Sequence, residues 1–290
     1  MDIQIIQVPY DSGYKNRRQG RGPAHFIQHN AAGRIGDQGH KVAVACLEPD
    51  ASFPMEVAMA FELNRLLAEQ VSSAIGSGQF PVVLAGNCNT CLGTMGGVGS
   101  RKLGVLYFDA HGEFNTPETT PSGWLDGMPL AMATGRCWKS LVGTIPGFVP
   151  IQDKHLILVG ARDLDEPEER LLSESSVNLI RSEQFNTGDL KQAIEDTLLS
   201  IKNRVDGLYV HIDMDAIAVQ KGRANHYGVH GGLKVDLIRE MIEFAKMHFK
   251  LRACAIASYD PDYDVEDTLV EAGLQLLETI TGNKQTIANI

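Results

Sequence analysis

The sequence predicts an α/β fold in which a mostly parallel sheet of about eight strands is covered by helices on both faces. Three observations point there. Apolar runs rich in β-branched residues recur along the 290 residues, helical patterns separate many of them, and Gly and Pro fall mainly in the connections. Ile3–Val8 opens the series, followed by Val42–Leu47, Pro81–Ala85, Leu103–Phe108, His155–Val159, Val177–Ile180, Gly207–Ile212 and Arg252–Ala257. None alternates apolar with polar residues, which is how strands buried on both faces read. Helical patterns occupy Met55–Ile75, Leu190–Ile201, Val235–Phe249 and, after the last run, Val265–Ile280. With no repeat and no low-complexity linker, residues 1–290 read as one domain, long enough for a large core.

Composition narrows the function. A formal net charge of −10 argues against a nucleic-acid or anionic-membrane partner and suits a cationic small-molecule substrate. Met1-Asp-Ile-Gln-Ile-Ile6 lacks a basic leader followed by a longer apolar core, and no apolar stretch approaches membrane-spanning length, so a cytoplasmic protein is expected. Five cysteines without framework spacing imply reduced thiols. Near the start, Tyr14-Lys-Asn-Arg-Arg18 and Arg21 form a basic loop, expected to be a solvated face or subunit contact.

The chemistry concentrates at two strand ends. Leu103–Phe108 runs into Asp109-Ala-His111-Gly-Glu113, and Gly207–Ile212 into Asp213-Met-Asp215. In an extended segment i, i+2 and i+4 share one side, so Asp109, His111 and Glu113 can converge, as can Asp213 and Asp215. Four carboxylates around one imidazole repel one another unless cations lie among them. This pattern suits a two-metal hydrolytic site.

Asp109-Ala-His-Gly-Glu-Phe-Asn-Thr-Pro-Glu-Thr-Thr-Pro-Ser-Gly-Trp-Leu-Asp-Gly127 resembles the Asp-Ala-His-x-Asp motif and substrate loop of the arginase/agmatinase (ureohydrolase) family. His211-Ile-Asp213-Met-Asp215 resembles that family's Ser-x-Asp-x-Asp signature. The likeness extends from Ile5-Ile-Gln-Val-Pro9 and Gly20-Arg-Gly-Pro23 through Val159-Gly-Ala-Arg-Asp163 to Gly231-Gly-Leu233. It implies a three-layer α/β/α fold with a binuclear, usually manganese, cluster at the carboxyl ends of the strands. It also implies that a hydroxide bridging the metals attacks a guanidinium or amidine carbon, releasing urea or an equivalent amide, in an enzyme that assembles as a homotrimer or hexamer.

Residue by residue, the resemblance makes Asp109 and Asp213 the bridging ligands, with His111 and Asp215 completing one ion's shell. Glu113 replaces a shorter acid at the other ion. Cys88, in Ala85-Gly86-Asn87-Cys88, stands where the family has a metal-binding histidine. Its softer thiolate admits zinc, iron or cobalt beside manganese. The pair Cys88-Asn-Thr-Cys91 also has Cys-x-x-Cys spacing, but redox work would compete with ligation. Asn115, Thr120, Ser122 and Asp165 match residues that hold an amino-acid head. Trp124 replaces an asparagine of the substrate loop, and Asp126 a histidine used in proton transfer. Ser258 aligns with the glutamate that pairs the guanidinium, removing a charge-assisted bond typically worth about 1.5–3 kcal/mol. Asp260 or Asp262 in the same turn, and His226 with Tyr227 after Asp215, are candidates to compensate, His226 by proton transfer.

The expected function is therefore metal-dependent hydrolysis of a linear C–N bond in a guanidino or amidino compound, arginine-like or hydroxyarginine-like. The alternative is a catalytically lapsed member of the fold that binds a ligand or partner.

Overall fold

A computed structural model describes residues 1–11, 13–50, 53–181, 190–218 and 222–282. Eight strands make one sheet: β1 (Asp2–Val8), β2 (Lys41–Cys46), β3 (Gln79–Ala85), β4 (Leu103–Phe108), β5 (Leu156–Val159), β6 (Asn178–Ile180), β7 (Gly207–Asp213) and β8 (Leu251–Ala257). Their spatial order is β2-β1-β3-β8-β7-β4-β5-β6, and every pairing within it is parallel.

Helices cover both faces. Leu67, Val71 and Leu92, from α3 (Glu56–Gly76) and α4 (Cys91–Val98), pack with Ile6, Val83, Tyr107 and Tyr209 on one side. On the other, α1 (Gly22–Gln28), α2 (Ala31–Asp37), α8 (Leu190–Ile201), α9 (Val235–His248) and α10 (Thr268–Thr281) bring Phe26, Ile35, Ile194, Met241 and Leu277 against Ile5, Leu84, Leu106 and Val210. Alternate residues of one strand thus enter two different cores, which is why Leu103–Phe108 is buried throughout. Among the described residues no helix is long and apolar enough to cross a membrane.

Two expectations need correction. Val42–Leu47 reads as a buried strand, yet β2 is an edge, and all six of its residues are exposed or half-buried. Its small alanines supply little to bury. The last helix begins at Thr268 instead of Val265 because Asp264, outside the helix, caps it: its Oδ2 accepts from Leu269 N (2.8 Å) and Val270 N (2.9 Å). The shorter helices, α1, α2, α4, α5 (Pro129–Ala133), α6 (Lys139–Val142) and α7 (Glu166–Ser173), span too few turns to leave a periodic signature.

Register places the site. Phe108 pairs with Ile212 and Asp213 with Ala257, so Asp109, Asp213 and Ser258 leave adjacent strands at the same level. Leu84 pairs with Ile256, which brings the turn after β3, carrying Asn87 and Cys88, beside them. Two cations of the basic loop are paired: Arg18 Nε lies 2.6 Å from Asp11 Oδ2, and Arg21 pairs with both Asp260 (2.8 Å) and Asp262. Those two acids are therefore engaged by Arg21 and do not line the site cavity.

Candidate metal centre

The acids converge, but through turns and not through the pleat. Asp109 is the first residue beyond β4, and its Oδ1 accepts from His111 N at 2.8 Å. Glu113 then adopts a left-handed backbone, φ 54°, an unfavourable state for a non-glycine residue that turns its side chain back toward Asp109. Asp213 ends β7, and its Oδ1 accepts from Asp215 N at 2.8 Å as a short 3₁₀ turn begins. One oxygen of each acid is thus fixed by the backbone while the other points inward.

Two groups of metal-capable atoms result, each with all members within 4.8 Å of one another: Cys88, Asp109 and Asp213, and Asp109, His111 and Glu113. Asp109 belongs to both. Cys88 Sγ lies 2.9 Å from Asp213 Oδ2 and 4.0 Å from Asp109 Oδ2. His111 Nδ1 is 3.4 Å from Asp109 Oδ1 and 3.4 Å from Asp215 Oδ2.

Protein cations do not balance this charge. Burial pushes the carboxyl of Glu113 well above the ordinary range, and Asp109 and Asp126 add repulsion. Burial does the same to Asp213, reinforced by Asp215 and Asp109. Asp215 alone is held low, because the neighbouring His111 outweighs its burial. Glu113 Oε2 is buried with no hydrogen-bond partner, a cost of about 1–3 kcal/mol that a cation would remove. The donors present, four carboxylates, an imidazole and a thiol, fit a pair of divalent ions.

Cys88 is buried, and its surroundings keep the thiol protonated: burial raises its pKa well above the usual thiol value, followed by repulsion from Asp213 and Asp109. It also meets His211 Nε2 at 3.2 Å and Ser258 Oγ at 3.3 Å. The His211 ring stacks on Tyr107, its Nδ1 lies 2.7 Å from the Tyr209 hydroxyl, and burial lowers its pKa to about 3. Among the described residues all five cysteines are free.

A cavity of about 500 Å³ opens above these ligands, lined by His111, Glu113, Asp213 and Asp215 at its floor and by Asn115, Thr120, Ser122, Trp124, Asp126 and Asp165 on its walls. Asn115 Nδ2 donates to Asp165 Oδ2 at 2.9 Å, and the hydroxyls of Thr120 and Ser122 are 3.3 Å apart. Trp124, half exposed, meets Tyr227 edge to face at 5.0 Å. Asp126 accepts from Asn87 Nδ2 (2.7 Å), Asn89 N (3.2 Å) and Asn89 Nδ2 (3.1 Å), yet burial prevails and lifts it to about 7. His226 is not brought in: it is exposed, with Nδ1 3.2 Å from the Tyr263 hydroxyl, and its neighbour Tyr227 lines the cavity instead.

Sequence reasoning missed Glu168, which lines the cavity although nearly all of it is buried. Its Oε1 accepts from Phe114 N at 2.7 Å, and a Cβ at Gly112 would press on the carboxylate and make it shift. An acid in a helix's first turn ordinarily signals capping, which hid it. Burial raises Glu168 from 4.5 to about 7. Above pH 7 the fold therefore carries a costly buried charge, and Glu168→Gln should stabilise it there by at most roughly 3 kcal/mol. The gain should shrink as pH falls below 7 and vanish near 4.5. Denaturant titrations at both ends of that window check this, and a variant weaker than the parent at high pH would show that the carboxylate is required in its charged form.

A parallel sheet whose carboxyl edge gathers these ligands beneath an acidic cavity is the framework of a metal-dependent hydrolase. The chain belongs to the arginase family, whose model matches residues 1–282, and the family binds a dinuclear metal centre. It is 29% identical to the arginase of Bacillus caldovelox over 97% of this chain and 98% of that one. With the arginase of Bacillus subtilis (strain 168) the identity is 28% over the same shares. A crystal structure of arginase from Bacillus subtilis superposes with a TM-score of 0.88 at 26% identity, covering 98% of this chain and all of that one.

Proposed function

We propose that the protein hydrolyses a linear C–N bond of a guanidino or amidino compound with an amino-acid head, arginine-like or its hydroxyguanidine, releasing urea or an equivalent amide. One observation carries the reading. Beyond the metal ligands, Asp126, Asp163, Asp165 and Glu168 line the cavity, and His111, itself assigned to the metal, is the one basic side chain among the lining residues. Such a wall draws in a cation. The arginase relatives support the same class of substrate.

When bound, two divalent ions would supply Lewis acidity and lower the pKa of water from about 15.7 toward 7. Cys88, Asp109, His111, Glu113, Asp213 and Asp215 would hold them. Asn115, Thr120, Ser122 and Asp165 would seat the amino-acid head, Trp124 would cover a planar group, and Asp126 would carry the leaving-group proton. With Ser258 in place of an acid, the guanidinium has one charged partner fewer than the family pattern supplies. One catalytic domain over residues 1–290, assembly as a homotrimer or hexamer, and a cytoplasmic location belong to the same proposal. The single sheet, family membership and free cysteines support them in turn.

The test is incubation with Mn, Co, Fe or Zn and a panel of arginine, hydroxyarginine, agmatine, guanidinobutyrate and formiminoglutamate. Urea or formamide from one of them supports the proposal. None with any metal would sink it and favour a lapsed, ligand-binding member, the reading that the replacements at Cys88, Asp126 and Ser258 support.

Cys88 sets metal choice in this scheme. Cys88→His should move occupancy and activity toward manganese, and Cys88→Ala should weaken one ion selectively. Elemental analysis after gel filtration reads both. Unchanged metal content in the two variants would leave Cys88 a packing residue.

A further inference from the structure

On the far side of the Ser258 loop, away from the cavity, two imidazoles and a carboxylate meet at the surface. His25 lies in α1 and His29 caps its end, four residues on. His29 N donates to His25 O at 3.0 Å, so the helical turn between them is closed and both rings project from one face. Their ring centroids are 4.4 Å apart. Asp267, immediately before α10, turns toward them from a left-handed backbone, φ 54°. Its Oδ1 lies 3.2 Å from His25 Nε2 and 3.8 Å from His29 Nε2.

We propose that His25, His29 and Asp267 form a peripheral binding site for one divalent transition-metal ion of borderline softness, such as zinc or copper(II). Nothing in this site touches the residues assigned to the cavity, so it stands whether or not the proposed hydrolysis does. The spacing is the first argument. With metal–nitrogen and metal–oxygen bonds near 2.0–2.2 Å, neighbouring ligand atoms of a tetrahedral site lie about 3.3–3.6 Å apart. The three ligand atoms here all fall within 4.8 Å of one another. The contact of 3.2 Å already matches, and that of 3.8 Å closes with a small rotation of one exposed ring.

Donor chemistry is the second argument. Two imidazoles with one carboxylate select zinc, copper or nickel over magnesium or calcium, and water completes the shell at a partly open position. The three side chains are between one-fifth and about one-half exposed, so an ion can reach them without rearrangement of the fold. The neighbouring acid, Glu271, is not available as a fourth ligand: Arg34 binds it through two hydrogen bonds, of 2.9 and 2.6 Å.

The site also joins elements distant in sequence. His25 packs near Tyr259 (ring centroids 5.7 Å apart), Phe26 meets the same tyrosine at 5.3 Å, and Tyr259 follows Ser258 in the cavity wall. Gly22 lets α1 approach the Tyr259 carbonyl so closely that a Cβ could not fit. An ion bridging α1 to the start of α10 therefore clamps the corner behind the cavity, and it should raise the melting temperature.

The experiment compares the parent with His25→Gln/His29→Gln and with Asp267→Asn, each first checked by circular dichroism. Each is titrated with Zn(II) and counted by elemental analysis. The parent should retain one equivalent more than the double variant, and its zinc-induced rise in melting temperature should lose that increment. Because only the difference is read, occupancy of the cavity does not enter. With one equivalent of Cu(II) added to zinc-saturated protein, copper, which such ligands bind more tightly, should displace the peripheral zinc, and the parent's spin-resonance spectrum should show coupling to two nitrogens, absent from the double variant. Asp267→Asn, which keeps both imidazoles, should retain the nitrogen coupling with at least tenfold weaker binding. Equal zinc counts and identical thermal shifts in the parent and the double variant would overturn the proposal.

Discussion

Asp213→Asn, and equally Asp109→Asn, should yield a folded protein that has lost both metal ions and falls to background activity. Asp109 stands in both groups of ligand atoms, and Asp213 pairs with Cys88 at the meeting point of β7 and β8. Under the proposed assignment, in which both acids bridge, removing either charge would weaken compensation between two cations at once. Asp215→Asn touches the His111 side alone, so about one ion per chain should remain, with very low turnover. The loss is separable from unfolding. Burial holds Asp213 above its ordinary pKa, so its ionised form costs stability at neutral pH, and the metal-free Asn variant should melt no lower than the metal-free parent. Metal counts and melting curves on the three variants decide it; Asp109→Asn or Asp213→Asn retaining both ions as firmly as the parent would disprove the bridging assignment.

The second large effect belongs to Asp126. Lifted to about 7 by burial, it is substantially protonated at neutral pH and able to give a proton to a departing nitrogen. Asp126→Asn should lower kcat by about 10²–10⁴-fold, the range for loss of a general acid, while metal content stays the same. The sign of the pH effect follows. The parent's kcat should decline as pH rises through about 7, where the acid form disappears, and the variant should lack that limb. A variant that keeps the limb would assign the titration to another group.

Much of this architecture is legible in the sequence because buried parallel strands leave a strong mark: Leu103–Phe108 and Gly207–Ile212 have no exposed face to disguise them. The edge strand β2 reads as buried because its apolar run looks the same whether one or two neighbours pair with it. Asp109, His111, Asp213 and Asp215 do lie together, because adjacent parallel strands release their next residues side by side, but turns and not the alternation of an extended chain aim them at one another. Glu168 is hidden because its partner, Phe114 N, is 54 residues away and no local pattern joins them. His226 misleads for the opposite reason. It adjoins the right loop, but chain proximity does not fix direction, and Tyr263 holds it outside.

The depth of the ligands has a practical corollary for handling the protein. Cys88 and Asp109 are essentially sealed, while a quarter of the His111 side chain remains open to the cavity. A chelator approaching from solvent meets the His111 end first and the thiol end last. Metal added to the folded protein should therefore fill the His111 end quickly and the thiol end slowly, so the two ions would be told apart by their rates of exchange as well as by their ligands.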